Sequence, residues 1–409
     1  VHSGSRLQNT GRVGSDHRFR WLLASSATAN LGDGIGKVAF PLLATTLTRD
    51  PVQIAALSAV QFLPWLLFAI PAGALIDRVD RKKAMIAANT ARAVVVAAVT
   101  VLVAVHAMDI WTIYVAAVLV GTAETVADST ANVLPPALVP ADGLESANSR
   151  LQACEIVGQT FLGGPVGSAT FALFAAFPFL LTSAGFAVAA AVLLGLAGSY
   201  RPRAETAAIS IQAGFTAGAR WLREHPTLLR LLAVAGLLSL VSELAQAQLV
   251  LYALEDLRLS EAAFGLFSFV GGIGGLAGAA LAPRLVRRTG RRPVLIGGVL
   301  CCALGFTGMG LVRQPVLAAL LFGLFAAAVV AVNVVLATAR HTLVPGELLG
   351  RVLGVWRTVV WGAIPVGALL GGLCTELLGS ASHTFTASGV LLLAVAGYAA
   401  FALRRHALR

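Results

Sequence analysis

Gly73-Ala-Leu-Ile-Asp77-Arg78-Val-Asp80-Arg81-Lys82-Lys83 lies between two apolar runs, Ile54 to Ile76 and Ala84 to Val105. Each run is close to the roughly 20 residues a helix needs to cross a bilayer. Six of the seven residues from Asp77 to Lys83 are charged, and such a turn cannot stay in hydrocarbon. It must cap two antiparallel membrane helices at a water face.

Working outward, the rest of the chain has the same character. Of its 409 residues, 57% are hydrophobic and only 12% charged, where a soluble domain carries about 25% charged residues. Mean hydropathy is +0.83. The net charge of +11 does not indicate nucleic acid, because the basic residues sit in short clusters between apolar runs and form no basic face on a soluble domain. Cys154, Cys301, Cys302 and Cys374 all lie inside apolar runs and read as small buried hydrophobes, with neither disulfide nor metal-ligand spacing. The polar start, Val1 to Arg20, leads straight into a full-length span, so no cleavable signal peptide is expected.

The apolar runs count to twelve. The first six are Trp21–Leu47, Ile54–Ile76, Ala84–Val105, Ile110–Leu138, Ala147–Phe174 and Phe177–Ser199. The second six are Leu228–Leu254, Ala262–Val286, Val294–Val312, Val316–Leu343, Leu349–Leu378 and Phe385–Leu403. Of the 30 basic residues, 25 fall at the two ends of the chain or in and beside every second loop, and only Arg49, Arg258 and Arg313 lie in the opposite loops. The positive-inside rule then puts both termini in the cytoplasm.

Sequence repeats divide the twelve into two sixes. Leu138-Val-Pro140 returns as Leu343-Val-Pro345, Pro165-Val-Gly167 as Pro365-Val-Gly367, and the charged turn as Arg287-Arg-Thr-Gly290-Arg-Arg292. Three matches in register point to duplication of a six-helix unit. The expected organisation is a tail at 1–20, a bundle at 21–199, a linker at 200–227, a second bundle at 228–403 and a tail at 404–409. Ala219-Arg-Trp-Leu-Arg-Glu in the linker is amphipathic, which suits either a surface-lying helix or a short helix in a tether.

No enzyme constellation, metal-ligand set or phosphate loop is present, so neither catalysis nor a cofactor is expected. Gly271-Gly-Ile-Gly-Gly275 lies inside an apolar run with no strand before it and reads as helix packing. The functional candidates are ionisable residues within spans, each of which costs at least roughly 2.5–3.5 kcal/mol to insert. These are Asp33 and Lys37, Arg92, Glu124 and Asp128, Glu155, Glu243 and, near a helix end, Glu376. Asp33 and Glu243 occupy corresponding places in the two halves, 210 residues apart, each roughly 20 Å into its span at 1.5 Å per residue. Proton exchange on a carboxyl is most consequential where water is scarce, which suits proton coupling. A competing reading has Lys37, one turn on, neutralise Asp33. Glu124 and Asp128 share a face, either to hold a proton or to pair with Arg92 or Arg81. Glu155, with Gln152 and Gln159, is expected to line a cavity. Glu243 has no basic residue at helical spacing and is the strongest candidate for cargo or proton contact.

The charged turn resembles the signature loop of the major facilitator superfamily, G-x-L-x-D-R-x-G-R-K, with Asp80 where that family carries glycine. If the backbone there is left-handed, Asp is a tolerable substitute that costs something. The resemblance extends to Asn30-Leu-Gly-Asp33, Glu124-Thr-Val-Ala-Asp128, Leu144-Glu-Ser-Ala-Asn148, Arg351-Val-Leu-Gly and Trp361-Gly-Ala-Ile-Pro365. Together these are similar to the bacterial macrolide-efflux and enterobactin-export branch. It implies a twelve-helix, all-α carrier of two pseudo-symmetric bundles, in the bacterial inner membrane. Such a carrier works as a monomer, exchanging protons for a small hydrophobic or amphipathic compound, with no nucleic-acid partner.

By the same resemblance, Gly73, Asp77, Arg78 and Arg81 form a conformational latch, with Asp77 facing the helix that starts near Leu349 to Arg351 and Arg81 paired to Asp128. Gly163, Gly164, Pro165 and Gly167 resemble the antiporter motif, one residue short after the proline, and Pro365 and Gly367 repeat part of it. The arginine usual in the fourth helix of proton-coupled members is missing, so Asp33 or Glu243 with Arg92 would have to substitute. Trp356 and Trp361 offer aromatic contact, with interface anchoring favoured for Trp356. An uptake symporter of the same fold, or a non-transporting sensor or assembly subunit, are the rival readings. Topology is checked with reporters: alkaline phosphatase fused after Arg409 should be silent, and inserted after Arg49 it should be active.

Overall fold

The computed structural model describes residues 17–76, 79–140, 143–201 and 211–403. All regular structure among them is helical, as hydrocarbon requires of a backbone that must satisfy its own hydrogen bonds. The helices are α1 (His17–Leu47), α2 (Pro51–Ile76), α3 (Arg81–Ala104), α4 (Ile110–Val133), α5 (Leu144–Glu155), α6 (Gly164–Leu173) and α7 (Phe177–Leu194). They continue as α8 (Ile211–Glu224), α9 (Pro226–Gln246), α10 (Leu249–Leu251), α11 (Glu261–Thr289), α12 (Arg291–Leu311), α13 (Pro315–Leu343), α14 (Gly346–Leu378) and α15 (Ala381–Ala402). A π-helical stretch, Ile156–Gly163, joins α5 to α6 into one rod, and a second, Tyr252–Asp256, extends the α9–α10 rod. Ten helices among the described residues are long and apolar enough to cross a membrane. With α1 and the α5–α6 rod the arrangement is consistent with twelve spans.

The starts and stops follow local chemistry. Asp109 accepts from the Thr112 amide at 2.7 Å to open α4, and Ser260 from the Ala263 amide at 3.3 Å to open α11. These side chains satisfy amides that lack a carbonyl one turn back. Gly379 closes α14 at φ 77°, a left-handed position that costs glycine little. Asp80 is not left-handed. Its backbone is extended, at φ −67° and ψ 117°, and its carboxylate caps α3 at the Lys83 amide. The substitution for glycine therefore carries no strain.

The chain divides into two compact units, one of residues up to 43 with 63–204, the other of 44–62 with 205 onwards. In the first, α3 packs between α4 and α7, while α1 meets the α5–α6 rod through glycines. A methyl group on Gly158 would lie 2.9 Å from the Leu31 amide nitrogen, and one on Gly163 2.8 Å from that of Ile35. One on Gly167 would lie 2.9 Å from the Ile35 carbonyl oxygen. Pro165, which has no N–H to donate, follows directly on the π-helical stretch, where the hydrogen-bond ladder of the rod is already irregular.

In the second unit, α11 lies against α13, α12 against α13 and α15, and α9 against α14 and α15. Gly274 and Gly278 of α11 face the backbone of Gly323 and Ala327, so the glycine-rich run is a packing seam. An aromatic core holds the helices further on, with Phe306 and Phe325 stacked at 4.0 Å and Tyr252 against Phe385 at 4.6 Å. Residues 44–62 belong to this unit because the start of α2 is packed there: Gln248 donates to the Pro51 carbonyl at 3.1 Å, and Ala55, Ala59, Ala247 and Ala368 are buried together. The linker helix α8 docks on α14, Gly218 against Arg351. Outward faces carry residues such as Leu377 and Phe401, 85% and 86% exposed, which is a surface for acyl chains and not for water.

Replacing Gly163 by valine is expected to force α1 away from the α5–α6 rod, at a cost of about 1–3 kcal/mol or more for overpacking. Fluorescence-detected gel filtration after a heat step should show loss of the monodisperse peak, and Gly297→Val, where a side chain meets nothing within 4 Å, should leave it intact.

Candidate functional site

The first unit gathers its intramembrane charges around Arg92. This residue is 1% exposed and Asp33 is 8% exposed, and the two form a buried ion pair between α3 and α1. The guanidinium also lies over the Phe186 ring of α7, 3.8 Å from its centre, so one cation joins three helices. Asp33 is thus neutralised by Arg92 and not by Lys37. The helical spacing to Lys37 offers only a solvent-side neighbour, whereas Arg92 comes to Asp33 inside the bundle. Lys37 instead donates to the Gln159 side chain of the π-helical stretch, and Gln159 donates onward to Asn30 at 2.7 Å.

Glu124 and Asp128 on α4 lie within electrostatic reach of Arg92, and Asp128 also of Lys37 and Glu155. Glu155 accepts from Gln152 at 3.1 Å. Asp33, Arg92, Lys37, Glu124, Asp128 and Glu155 are therefore one polar cluster inside a single six-helix unit, built from α1, α3, α4 and α5. Asn89, one turn before Arg92, is fully buried, and neither of its amide atoms has a hydrogen-bond partner among the described residues. Neither Asn89 nor Phe186 was among the sequence candidates. A polar Asn89–Arg92 face on α3 was the available signal, whereas nothing local marks a phenylalanine as a cation's partner.

The second unit is different. Glu243 on α9 makes no ion pair or hydrogen bond among the described residues, and it packs against α14, where a methyl group on Gly367 would stand 3.0 Å from Glu243 Cβ. Gly367, two residues after Pro365, gives the carboxyl-bearing turn its room. Gly371 makes the same close approach to Leu244. Corresponding carboxyls of the two halves are thus one compensated and one not.

At the charged turn, Gly73 lies in the last turn of α2, while Asp77 and Arg78 fall outside the described residues. Arg81 does not pair with Asp128. It donates to the Val133 carbonyl at 3.1 Å, because the last carbonyls of α4 lack helical partners and Asp128 lies more than a turn further in. Trp356 is not an interface anchor; it is 3% exposed, with the Arg340 guanidinium 4.6 Å from its ring centre. Trp361 has Arg357 at 5.5 Å. Glu376 is exposed. Among the described residues no three His, Cys, Asp or Glu side chains are grouped to hold a metal ion.

Comparison with known proteins agrees with this architecture. Residues 15–408 match the family profile described as transmembrane secretion effector, a major facilitator family. This chain belongs to the major facilitator superfamily. It is 26% identical to the multidrug efflux pump Tap of Mycolicibacterium fortuitum, covering 88% of this chain and 89% of Tap. The MFS-type transporter YfiS of Bacillus subtilis is 25% identical over 91% of this chain and 90% of its own. In structure it resembles a bacterial homologue of the iron transporter ferroportin in its inward-facing state, with TM-score 0.74 and 18% identity over 93% of this chain and 98% of the other. At such identity the likeness shows the fold alone. The protein is a multi-pass membrane transporter of the kind that moves small molecules across a bilayer.

Replacing Arg92 by alanine leaves Asp33 buried without its cation and should destabilise the protein by about 3–5 kcal/mol. The double replacement Asp33→Ala, Arg92→Ala should recover much of that loss. Thermal unfolding in detergent, followed for both single variants and the double, checks the coupling.

Proposed function

We propose that this transporter exports a small hydrophobic or amphipathic compound from the bacterial cytoplasm in exchange for protons, by alternating access of two six-helix bundles. The observation that carries export is the match along 88% of the chain to a relative named as a multidrug efflux pump. Proton exchange is supported by Glu243, a carboxyl inside the second unit with no cation beside it among the described residues. A proton there neutralises the side chain, and its loss creates a charge that water or cargo must then stabilise. The Asp33–Arg92 pair is the complementary element, since a change in Glu124 or Asp128 alters the field at Arg92 and with it the hold of α3 on α1.

In this reading, residues 21–199 and 228–403 are the moving bundles, 200–227 is a cytoplasmic linker, and both termini are cytoplasmic. Asp77, with Gly73, Arg78 and Arg81, latches the charged turn to the helix beginning at 346, and the carrier works as a monomer in the plasma membrane. The largely apolar spans suit a cargo with few charges.

The test is antibiotic and dye susceptibility in an efflux-deficient bacterial host making the full chain, Glu243→Gln or Asp77→Asn. The native protein should confer resistance to at least one amphipathic compound, and an uncoupler should abolish it. Glu243→Gln should lower the export rate by about tenfold or more, equivalent to about 1.4 kcal/mol on the limiting step. Accumulation of the compound above that in host cells lacking the protein would identify uptake instead. Export insensitive to both uncoupler and Glu243→Gln would remove the proton from the mechanism.

A further inference from the structure

The two copies of the charged turn are not equivalent. Asp80 aligns with Gly290 at an offset of 210, and Arg81 and Arg291 are the first residues of α3 and α12. Gly290 stands at φ 90°, with no side chain to cap the helix after it. The second copy is tied down by one cation, Arg292, which donates to the Leu403 and Ala400 carbonyls at 2.5 and 2.8 Å. Its counterpart Lys82 reaches the Leu194 carbonyl at the end of α7, 3.3 Å away.

The first copy has a further tie, made by a carboxylate where the second copy has the glycine Gly290. One oxygen of Asp80, Oδ1, accepts from the Lys83 amide at 3.2 Å. The other, Oδ2, accepts from the Ser199 hydroxyl at 2.5 Å and the Tyr200 amide at 3.1 Å. The backbone closes the loop in return, as the Arg81 amide donates to the Tyr200 carbonyl at 3.2 Å. Asp80 is 6% exposed and Tyr200 9%, while Ser199 is exposed, so the knot sits at the surface with its carboxylate turned inward. Beneath it Phe19, Leu22, Met85, Leu193 and Leu196 pack with Tyr200, which brings the ends of α1, α3 and α7 into one corner.

We infer that Asp80 is a positioning residue that clamps the charged turn to the segment after α7, so that turn, α3 and the departure point of the linker move as one body. Where the superfamily's glycine would leave the turn hinged, this chain fastens it in its first half with a carboxylate. The clamp concerns no cargo or coupling ion and stands apart from the direction of transport.

It is also not a pH switch. Burial works to raise the Asp80 pKa, but hydrogen bonds from Ser199, Lys83, Tyr200 and Lys82 outweigh it, and the carboxyl titrates below its ordinary 3.8. A group whose folded pKa is depressed contributes its full stabilisation above the unfolded value and loses it as the pH falls through the folded one. The clamp should therefore be closed throughout the range above 3.8, among the neighbouring charges of Arg81, Lys82, Lys83 and Arg201.

Amide hydrogen exchange of the purified full chain, native and Asp80→Gly, tests this directly. The Lys83 and Tyr200 amides of the variant should exchange at least about tenfold faster, while α15 and the turn at Gly290 keep their native rates. Unchanged exchange at Tyr200 would overturn the clamp. Should Asp80→Gly fold poorly, Asp80→Asn keeps the side-chain shape but gives up one acceptor oxygen and the titration. Native protection at Tyr200 should then show an acid limb below 3.8 that Asp80→Asn lacks. Acid limbs at the same pH in both proteins would equally refute it.

Discussion

A charge in hydrocarbon must find a partner, a proton or water, and most of this protein is arranged by that requirement. It empties the spans of nearly all ionisable residues and drives the arginines and lysines into the turns. Those that remain inside are handled in two ways. Arg92 is held by Asp33 and the face of Phe186, a pair whose separation would strand one buried charge. Among the described residues Glu243 has no cation beside it.

Where charges are scarce, backbone proximity supplies the cohesion. Between apolar helices in lipid there is little hydrophobic drive, so small residues that let helices touch provide the attraction. Gly158, Gly163 and Gly167 bring the α5–α6 rod onto α1, and Gly367 and Gly371 bring α14 onto α9. The same seams carry the polar residues. Gln159 bridges Lys37 and Asn30 across the first, and Glu243 sits in the second. The π-helical stretch at Ile156–Gly163 lies where packing and polar contacts coincide, a common place for such irregularities.

The two halves, alike in helical plan, differ in chemistry at corresponding positions. Asp33 is compensated where Glu243 is not, and Asp80 fastens a turn that Gly290 leaves in a left-handed bend. Divergence of this sort assigns unlike roles to like frameworks, because the backbone geometry is retained while the chemistry at a few side chains changes.

The amino-acid sequence by itself determined the membrane class, the helical spans, the turns and the superfamily. Each depends on local quantities: run length, charge placement, and residue types at short, regular spacing in Gly73–Lys83 or Gly163–Gly167. It also marked Asp33, Arg92, Glu124, Asp128, Glu155 and Glu243 as costly residues with a purpose. Only the tertiary structure decided who meets whom. Arg92 lies 59 positions from Asp33, and Lys37, four away, was the nearer candidate. Arg81 turned to the Val133 carbonyl, Trp356 to the interior, and Asp80 to residues 119 and 120 positions away. Partnership between helices is set by rotation and depth in the packed bundle, and neither is written in the spacing of a single helix.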